Sequence, residues 1–338
     1  MPLRYPSTAL CEIPETSQKR RSGTVPPMRA LVTGGGGFIG HHLVRRLIEL
    51  GHDVRVLDNF STGHRARLRD VDVDVVEGDL RSYERVHTAV RGVDRVYHLG
   101  ALPSVPRSIQ DPLTTHAVNV DGTMNILLAS RDEGIERVVF ASSSSVYGAN
   151  PALPKRETDL ALPLSPYAVS KLAAEQYCRA FHAVYGLATT ALRLFNVYGP
   201  GQSPHSEYAA VVPRFVAAIA EGRAPLIYGD GEQTRDFTYV ADVVDAFVRA
   251  SETAAAAGEV LNVAGRTQTS IRELAELIAE ASGSDLKAEH AETRDGEVRL
   301  SQGDGSRAGE LLGWSPQWLL ADGVRECVRQ RDLVDALA

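Results

Sequence analysis

Hydrophobic and polar positions along this chain follow two alternating rhythms. Short apolar runs stand at Arg29-Ala-Leu-Val-Thr33, Val54-Arg-Val-Leu-Asp58, Val73-Asp-Val-Val-Glu77, Val93-Asp-Arg-Val-Tyr-His98, Arg137-Val-Val-Phe-Ala141 and Ala188 to Leu194. Runs of this length, rich in β-branched residues, read as strands. Between them the apolar residues recur three and four apart, as Ile39, Leu43, Leu47 and Leu50 do, which is the rhythm of an amphipathic helix. Strands that alternate with helices predict a parallel sheet covered on both faces. The expected class is therefore α/β, with a Rossmann-type doubly wound sheet.

The regularity changes after Phe195. Residues 199–207 are rich in Gly, Pro and Ser, and an amphipathic helix follows at 209–221. Ile227-Tyr228 leads into a turn at Gly229-Asp-Gly231, and a further helix is expected near 241–251. Val260-Leu-Asn-Val263 is placed to rejoin the main sheet; helices are expected at 270–282 and 322–336. This pattern divides the chain into a nucleotide-binding domain at 28–197, with returning segments near 237–263. A smaller substrate-binding α/β domain takes 198–236 and 264–338. Residues 1–27 hold Pro, Ser, Thr and a basic run without apolar periodicity, and are expected to form a disordered extension ahead of Met28.

Composition narrows the class. The chain has 338 residues, 43% hydrophobic and 23% charged, with a net charge of −7, enough for a sizeable core. No basic stripe marks a nucleic-acid surface, and no apolar stretch is long enough to span a membrane. Cys11, Cys178 and Cys327 are far apart in sequence and match no zinc or disulfide spacing. No metal site is expected, and a reducing, cytoplasmic setting is the simple reading.

The candidate chemistry begins at Thr33-Gly-Gly-Gly-Gly-Phe-Ile-Gly40. Glycines between a strand and a helix let the backbone approach a pyrophosphate at the helix N-terminus. Asp58 ends the next strand, where a carboxylate accepts from ribose hydroxyls and repels a 2′-phosphate, which favours NAD over NADP. Asp79 follows the third strand. The sequence leaves two roles open for it: a partner for the adenine amino group, or an N-cap for a helix at 81–90.

Far downstream, Tyr167-Ala-Val-Ser-Lys171 sets a phenol and an ammonium on one face of a helix. A phenol ionises near pH 10, so a neutral-pH base needs its pKa lowered by roughly three units, about 4 kcal/mol. The charge of Lys171 supplies part of that and an oxidised nicotinamide more, whereas burial alone opposes it. Ser142 to Ser145 follow the fifth strand, whose carboxyl end faces the ligand crevice of such a sheet. A serine there can share a hydrogen bond with Tyr167 and a reacting hydroxyl.

Taken in order, Thr33–Gly40, His98-Leu-Gly-Ala101, Asn119-Val-Asp-Gly-Thr123, Ser142–Gly148, Tyr167–Lys171, Phe195-Asn-Val-Tyr-Gly-Pro200, Gly229–Asp236 and Arg294-Asp-Gly-Glu-Val298 resemble the extended short-chain dehydrogenase/reductases. Within that group the chain resembles the 4-epimerases of nucleotide sugars, UDP-glucose and UDP-N-acetylglucosamine among them. The resemblance runs from Met28 to about residue 330 and implies Ser143, Tyr167 and Lys171 as the catalytic triad. For the cofactor, NAD, it implies Gly34, Gly37, Phe38, Ile39, Gly40, Asp58, Asn59, Ser61, Thr62, Gly63, Asp79, Leu80, Leu99, Ala101 and Asn119, with Tyr167 and Lys171 reaching the nicotinamide end.

For the nucleotide sugar it implies Asn196, Arg235 and Arg294 at the diphosphate and Glu297 at the nucleoside ribose. Ser143, Ser144, Ser104, Gln202, Val212 and Ser301 would lie about the sugar. Guanidinium forks suit phosphate oxygens. Ser301 is small, which by the resemblance admits an N-acetylated sugar. Related 4,6-dehydratases carry Asp-Glu directly after the triad serine; Ser144 and Ser145 stand here, which disfavours dehydration. The implied reaction is reversible inversion at C4 through a transient 4-keto sugar. A ketoreductase, a dehydratase and a glucuronate 4-epimerase are the enzymatic alternatives, and an NAD-sensing scaffold is the non-enzymatic one. Helices near 106–133 and 166–186 resemble the family's dimer interface, so a homodimer is expected.

Overall fold

The computed structural model describes residues 27–204, 209–293 and 299–331. Arg294, Glu297, residues 332–338 and all but the last residue of the expected N-terminal extension lie outside them. The first half runs β1 (Arg29–Thr33), α1 (Phe38–Glu49), β2 (Asp53–Asp58), β3 (Asp74–Glu77), α2 (Tyr83–Val90), β4 (Arg95–His98), α3 (Val105–Gln110), α4 (Pro112–His116), α5 (Gly122–Asp132), β5 (Arg137–Ser143), α6 (Pro166–Tyr185) and β6 (Thr189–Leu194). The second half runs β7 (Val197–Tyr198), α7 (Val211–Ala220), β8 (Leu226–Tyr228), β9 (Thr234–Arg235), β10 (Thr238–Tyr239), α8 (Val240–Glu252), β11 (Val260–Val263), β12 (Thr269–Ser270), α9 (Ile271–Ala281), β13 (Glu289–Ala291), α10 (Ser306–Leu312) and α11 (Leu320–Arg329). A π-turn at Ala117–Asp121 joins α4 to α5.

Seven strands form one parallel sheet in the order β11-β6-β5-β4-β1-β2-β3. Its central strands are apolar on both faces because both faces are covered. Ala30, Val32 and Val56 pack with Leu43 and Leu47 of α1 and Val243 and Phe247 of α8. Their neighbours Leu31, Leu57, Val96 and Phe140 point the other way, onto Val86 of α2, Ile126 of α5 and Phe181 of α6. A third cluster of Tyr198, Phe215, Ile227, Phe237, Leu274 and Val324 makes the core of the smaller C-terminal region.

The order places β1 between β4 and β2, so the direction of winding reverses there and opens a crevice at their carboxyl ends. Two expected boundaries move in ways that matter to that crevice. β5 continues to Ser143, so this serine is the last residue of its strand. The helix expected from residue 81 begins at Tyr83, with Ser82 as its N-cap accepting from Arg85 N. That cap releases Asp79 from the role of helix cap. Among the described residues no helix is long and apolar enough to cross a membrane.

Candidate active site

At the end of β1 the chain turns at Gly34 with φ +71°, a left-handed conformation that favours glycine. A Cβ on Gly34 would lie 2.8 Å from Gly100 N, and one on Gly40 would lie 2.1 Å from Gly34 O. The first glycine lets the turn after β1 close against the backbone that follows β4, and the second seats α1 tightly against the turn. Phe38 and Ile39 open α1, while their side chains pack into the third and first cores. What they offer an anion is the positive end of the helix.

Asp58 is buried at the end of β2. Its Oδ2 accepts from Gly36 N at 2.8 Å and its Oδ1 from Phe60 N at 2.7 Å. Burial pushes its pKa up, against the pull of these amides. Each oxygen keeps a second lone pair, enough to accept from ribose hydroxyls. Gly63 packs on Gly36 and Gly37, and Ser61 and Thr62 lie exposed beside it. Asn59 Nδ2 donates to Asp79 Oδ2 at 3.0 Å. Arg81 forks onto the same carboxylate and draws its pKa down to about 2. Leu80 contacts Gly100, and Leu99 N donates to Thr33 O. Leu99 and Ala101 are half-buried where β4 leaves the sheet.

Asn119 sits in the π-turn. Its Oδ1 accepts from Leu102 N at 2.8 Å, and its Nδ2 donates to Ser170 Oγ at 3.0 Å. It therefore binds the loop after β4 to the helix that carries Tyr167 and Lys171. That helix, α6, is capped by Ser165 with Pro166 in its first turn and ends at left-handed Gly186. Its first two turns carry the phenol and the ammonium over the carboxyl end of β5.

Tyr167 is buried beside Ser143; burial pushes the phenol pKa up and the Ser143 hydroxyl pulls it down. Ser143 Oγ accepts from Ser145 Oγ at 2.9 Å and Ser145 N at 3.2 Å. With both lone pairs engaged, its own O–H is left to donate toward Tyr167, which favours the phenolate. Lys171 Nζ donates to Ala141 O at 2.8 Å and lies 4.9 Å from the Phe140 ring centroid. Burial lowers its pKa to about 8. Ser144 is half-buried next to Ser143, and no carboxylate stands there.

On the substrate side, a cavity of about 240 Å³ opens beyond the end of β6 and is lined by Asn196, Val212, Arg235, Phe215 and Tyr228, among others. Arg235 lies on β9, its Nη1 donating to Thr234 O at 2.8 Å. Ser301 passes beside it: Thr234 N donates to Arg299 O, and Gly303 N donates to Asp236 Oδ2. Two expected sugar-side residues make hydrogen bonds within their own segments. Ser104 Oγ caps α3 through Arg107 N at 3.1 Å. Gln202 turns its Nε2 to Val197 O at 3.3 Å and lines a separate cavity of about 280 Å³ on the far side of Val212.

Two buried networks escaped the sequence reading. Glu175, one turn beyond Lys171, accepts from Arg193 at 2.7 and 3.0 Å and from Ser142 Oγ at 2.8 Å. The four-residue spacing from Lys171 was the available signal. His98 bridges Thr33 Oγ1, at 2.7 Å, and Thr123 Oγ1, at 3.0 Å. Gly100 N donates to Thr33 Oγ1, and Thr123 donates to Asn119 O. The donors thus run one way, and His98 is the Nε2–H tautomer. Among the described residues no cluster suits a metal ion.

The profile described as the NAD dependent epimerase/dehydratase family matches residues 30–264. The chain belongs to this family. It is 43% identical over 311 residues to a UDP-glucose 4-epimerase of Mycolicibacterium smegmatis, covering 89% of this chain and 97% of the relative. A UDP-N-acetylglucosamine 4-epimerase of Methanobrevibacter ruminantium, solved with UDP-N-acetylmuramic acid, superposes with a TM-score of 0.87. The two are 37% identical, over 91% of this chain and 99% of that one. A Thermus thermophilus UDP-glucose 4-epimerase in complex with NAD gives 0.83 at 36% identity, over 90% and 98%. By this membership the chain is an enzyme, an isomerase, and its cofactor is NAD. The glycine cradle, the α1 N-terminus and the free lone pairs of Asp58 fit that dinucleotide.

Proposed function

We propose that this enzyme inverts C4 of a UDP-linked hexose, either glucose and galactose or their 2-N-acetylated counterparts. The observation that carries the reading is the placing of buried Tyr167 and Lys171, one turn apart on α6, against the end of β5, where Lys171 Nζ bonds Ala141 O and Ser143 is the last residue. Bound NAD supplies a reversible acceptor for the hydride of C4. Tyr167 takes the O4 proton, helped by the charge of Lys171 and the O–H of Ser143. The resulting 4-keto sugar stays tethered through its diphosphate to Arg235 while the hexose turns over, and Tyr167 then returns the proton to O4 as C4 regains its hydride on the opposite face. Arg294, Glu297 and the family's other implied roles belong to this reading too.

Ser144 and Ser145 stand where a dehydratase needs carboxylates, which supports epimerisation without loss of water. The small Ser301 stands where, by the family resemblance, a bulky residue would exclude an N-acetyl group, which supports admission of the N-acetylated sugar. The test is to incubate the purified enzyme separately with UDP-glucose, UDP-N-acetylglucosamine and UDP-glucuronate and follow C4 epimers by NMR. Appearance of the galacto epimer from either of the first two supports the reading. Conversion of UDP-glucuronate alone, or stoichiometric NADH release, refutes it.

We also take the enzyme to be a cytoplasmic homodimer. Val169, Tyr177 and Val184 are exposed along one stripe of α6, and Ile109 and Leu113 are exposed on α3 and α4, which pack against it. Cys178 and Cys327 are buried free thiols, in keeping with a reducing compartment. Light scattering at a monomer's mass would refute the dimer.

A further inference from the structure

Arg67 is buried, only 4% exposed, in the 3₁₀ turn Arg65–Leu68 after β2. Its guanidinium forks onto two backbone carbonyls distant in sequence. Nη1 donates to Gly36 O at 3.1 Å, and Nη2 donates to Gly201 O at 2.7 Å. The first carbonyl belongs to the glycine loop. The second belongs to the Gly199–Pro204 loop, which continues directly from Val197 and Tyr198 in the wall of the substrate cavity and itself lines the neighbouring cavity, Val212 being common to both. Nε is buried without a hydrogen-bond partner, and Asp58 is the carboxylate that faces the cation.

A desolvated guanidinium with an unmet donor is a costly way to fill space; an apolar side chain of equal volume would serve stability as well or better. Its value lies in what it joins. The neighbouring side chains join the same two elements. His42, on α1, bonds Pro200 O through Nε2 at 2.9 Å. His41 bonds Gly37 O through Nδ1 at 3.0 Å, and its ring lies against Gly201, where a Cβ would meet its Cε1 at 3.2 Å. The two imidazole rings are 4.0 Å apart. Both act as neutral donors to carbonyls, and burial lowers both pKa values. Arg67 is the buried cation of this seam, and Arg45, at its more exposed side, donates from Nη2 to Arg67 O at 3.3 Å.

We propose that Arg67 is a positioning residue that pins the Gly199–Pro204 loop to the cofactor loop, so that the nucleotide-sugar cavity takes its binding form only against a correctly seated glycine loop. This rests on the reading of that cavity as a UDP-sugar site. Arg67 touches neither reacting atom. Its effect should therefore fall on substrate affinity and leave the chemical step nearly intact.

The experiment compares NAD-loaded wild type with Arg67→Leu and Arg67→Lys, using UDP as the probe in calorimetry, with NAD content and melting temperature measured on the same samples. Leucine removes both donors at similar volume. A lysine ammonium reaches the carbonyls without the planar fork. The expected result is UDP binding weakened about tenfold in Arg67→Leu, the equivalent of one lost charge-assisted hydrogen bond. NAD content should be retained, Arg67→Lys should be intermediate, and the loss should appear in KM rather than kcat. UDP binding within about twofold of wild type in both variants, or loss of NAD in step with loss of UDP, overturns the proposal. If Arg67→Leu does not fold, the KM-against-kcat split in Arg67→Lys decides it. Failure of the wild type to bind UDP refutes the substrate reading instead.

Discussion

Lys171 Nζ lies 2.8 Å from the carbonyl oxygen of Ala141, so the cation proposed to assist Tyr167 is held by the strand that ends in Ser143. Burial brings the Lys171 pKa down to about 8. The working form is the ammonium, present below that pH and lost above it. We therefore expect kcat/KM, which reports the free enzyme, to fall as pH rises past about 8. Replacing Lys171 by Met should remove this alkaline limb and lower kcat by about 10²-fold or more. Steady-state pH–rate profiles of the two proteins check both points.

Ser143 Oγ accepts from Ser145 N and Oγ, so in the proposed mechanism its O–H is left to donate toward Tyr167. Ser143→Ala should make the phenol harder to ionise and move the acid limb of the rate profile to higher pH. Its kcat at neutral pH should drop by roughly 10²-fold, with an unchanged melting temperature. A profile that keeps the wild-type acid limb contradicts this assignment.

Glu175 is fully buried against Arg193, which is 4% exposed. Glu175→Ala would strand a buried guanidinium, and we expect about 3–5 kcal/mol of stability to be lost. Adding Arg193→Met should recover much of that loss, since the pair's attraction largely offsets its own desolvation. Urea unfolding of the single and double variants measures the difference.

His98 and His41 are held neutral by burial, each with its pKa drawn down to about 3. The unfolded chain takes up these protons near pH 6.5, so it binds more protons than the folded form between the two values. Stability is full above pH 6.5 and declines as pH falls toward 3, by about 1.4 kcal/mol per pH unit for each histidine. Urea midpoints between pH 7 and 4 should show the slope. His98→Asn should make it shallower while lowering the midpoint at pH 7, because two threonine hydroxyls lose their bridge.

Much of this molecule could be read from residue order. Strands at 29–33, 54–58 and 137–141, the glycine loop and the Tyr167–Lys171 spacing have local signatures, since each depends on period or on glycine's conformational freedom. The return of 260–263 to the sheet was legible because three apolar residues, Val260, Leu261 and Val263, needed cover. The π-turn at Ala117–Asp121 was not, because an extra residue in a helical turn leaves no compositional mark. Nor were the cap at Ser82, the cap at Ser104 or the turning of Gln202 toward Val197. Each is a choice between polar partners a short distance apart, settled by where other segments arrive. Arg67 resembles any surface arginine until residues 36 and 201 are brought together.

The seventh strand of the sheet, β11, comes from the chain after it has already built part of the smaller region. A fragment cut at residue 197 would therefore leave β6 with a bare row of amides and carbonyls and strip α8 from Val32 and Leu43. Neither half can be excised as a free-standing module, grafted onto a different partner or exchanged without rebuilding the other. Melting should accordingly be a single shared event rather than two.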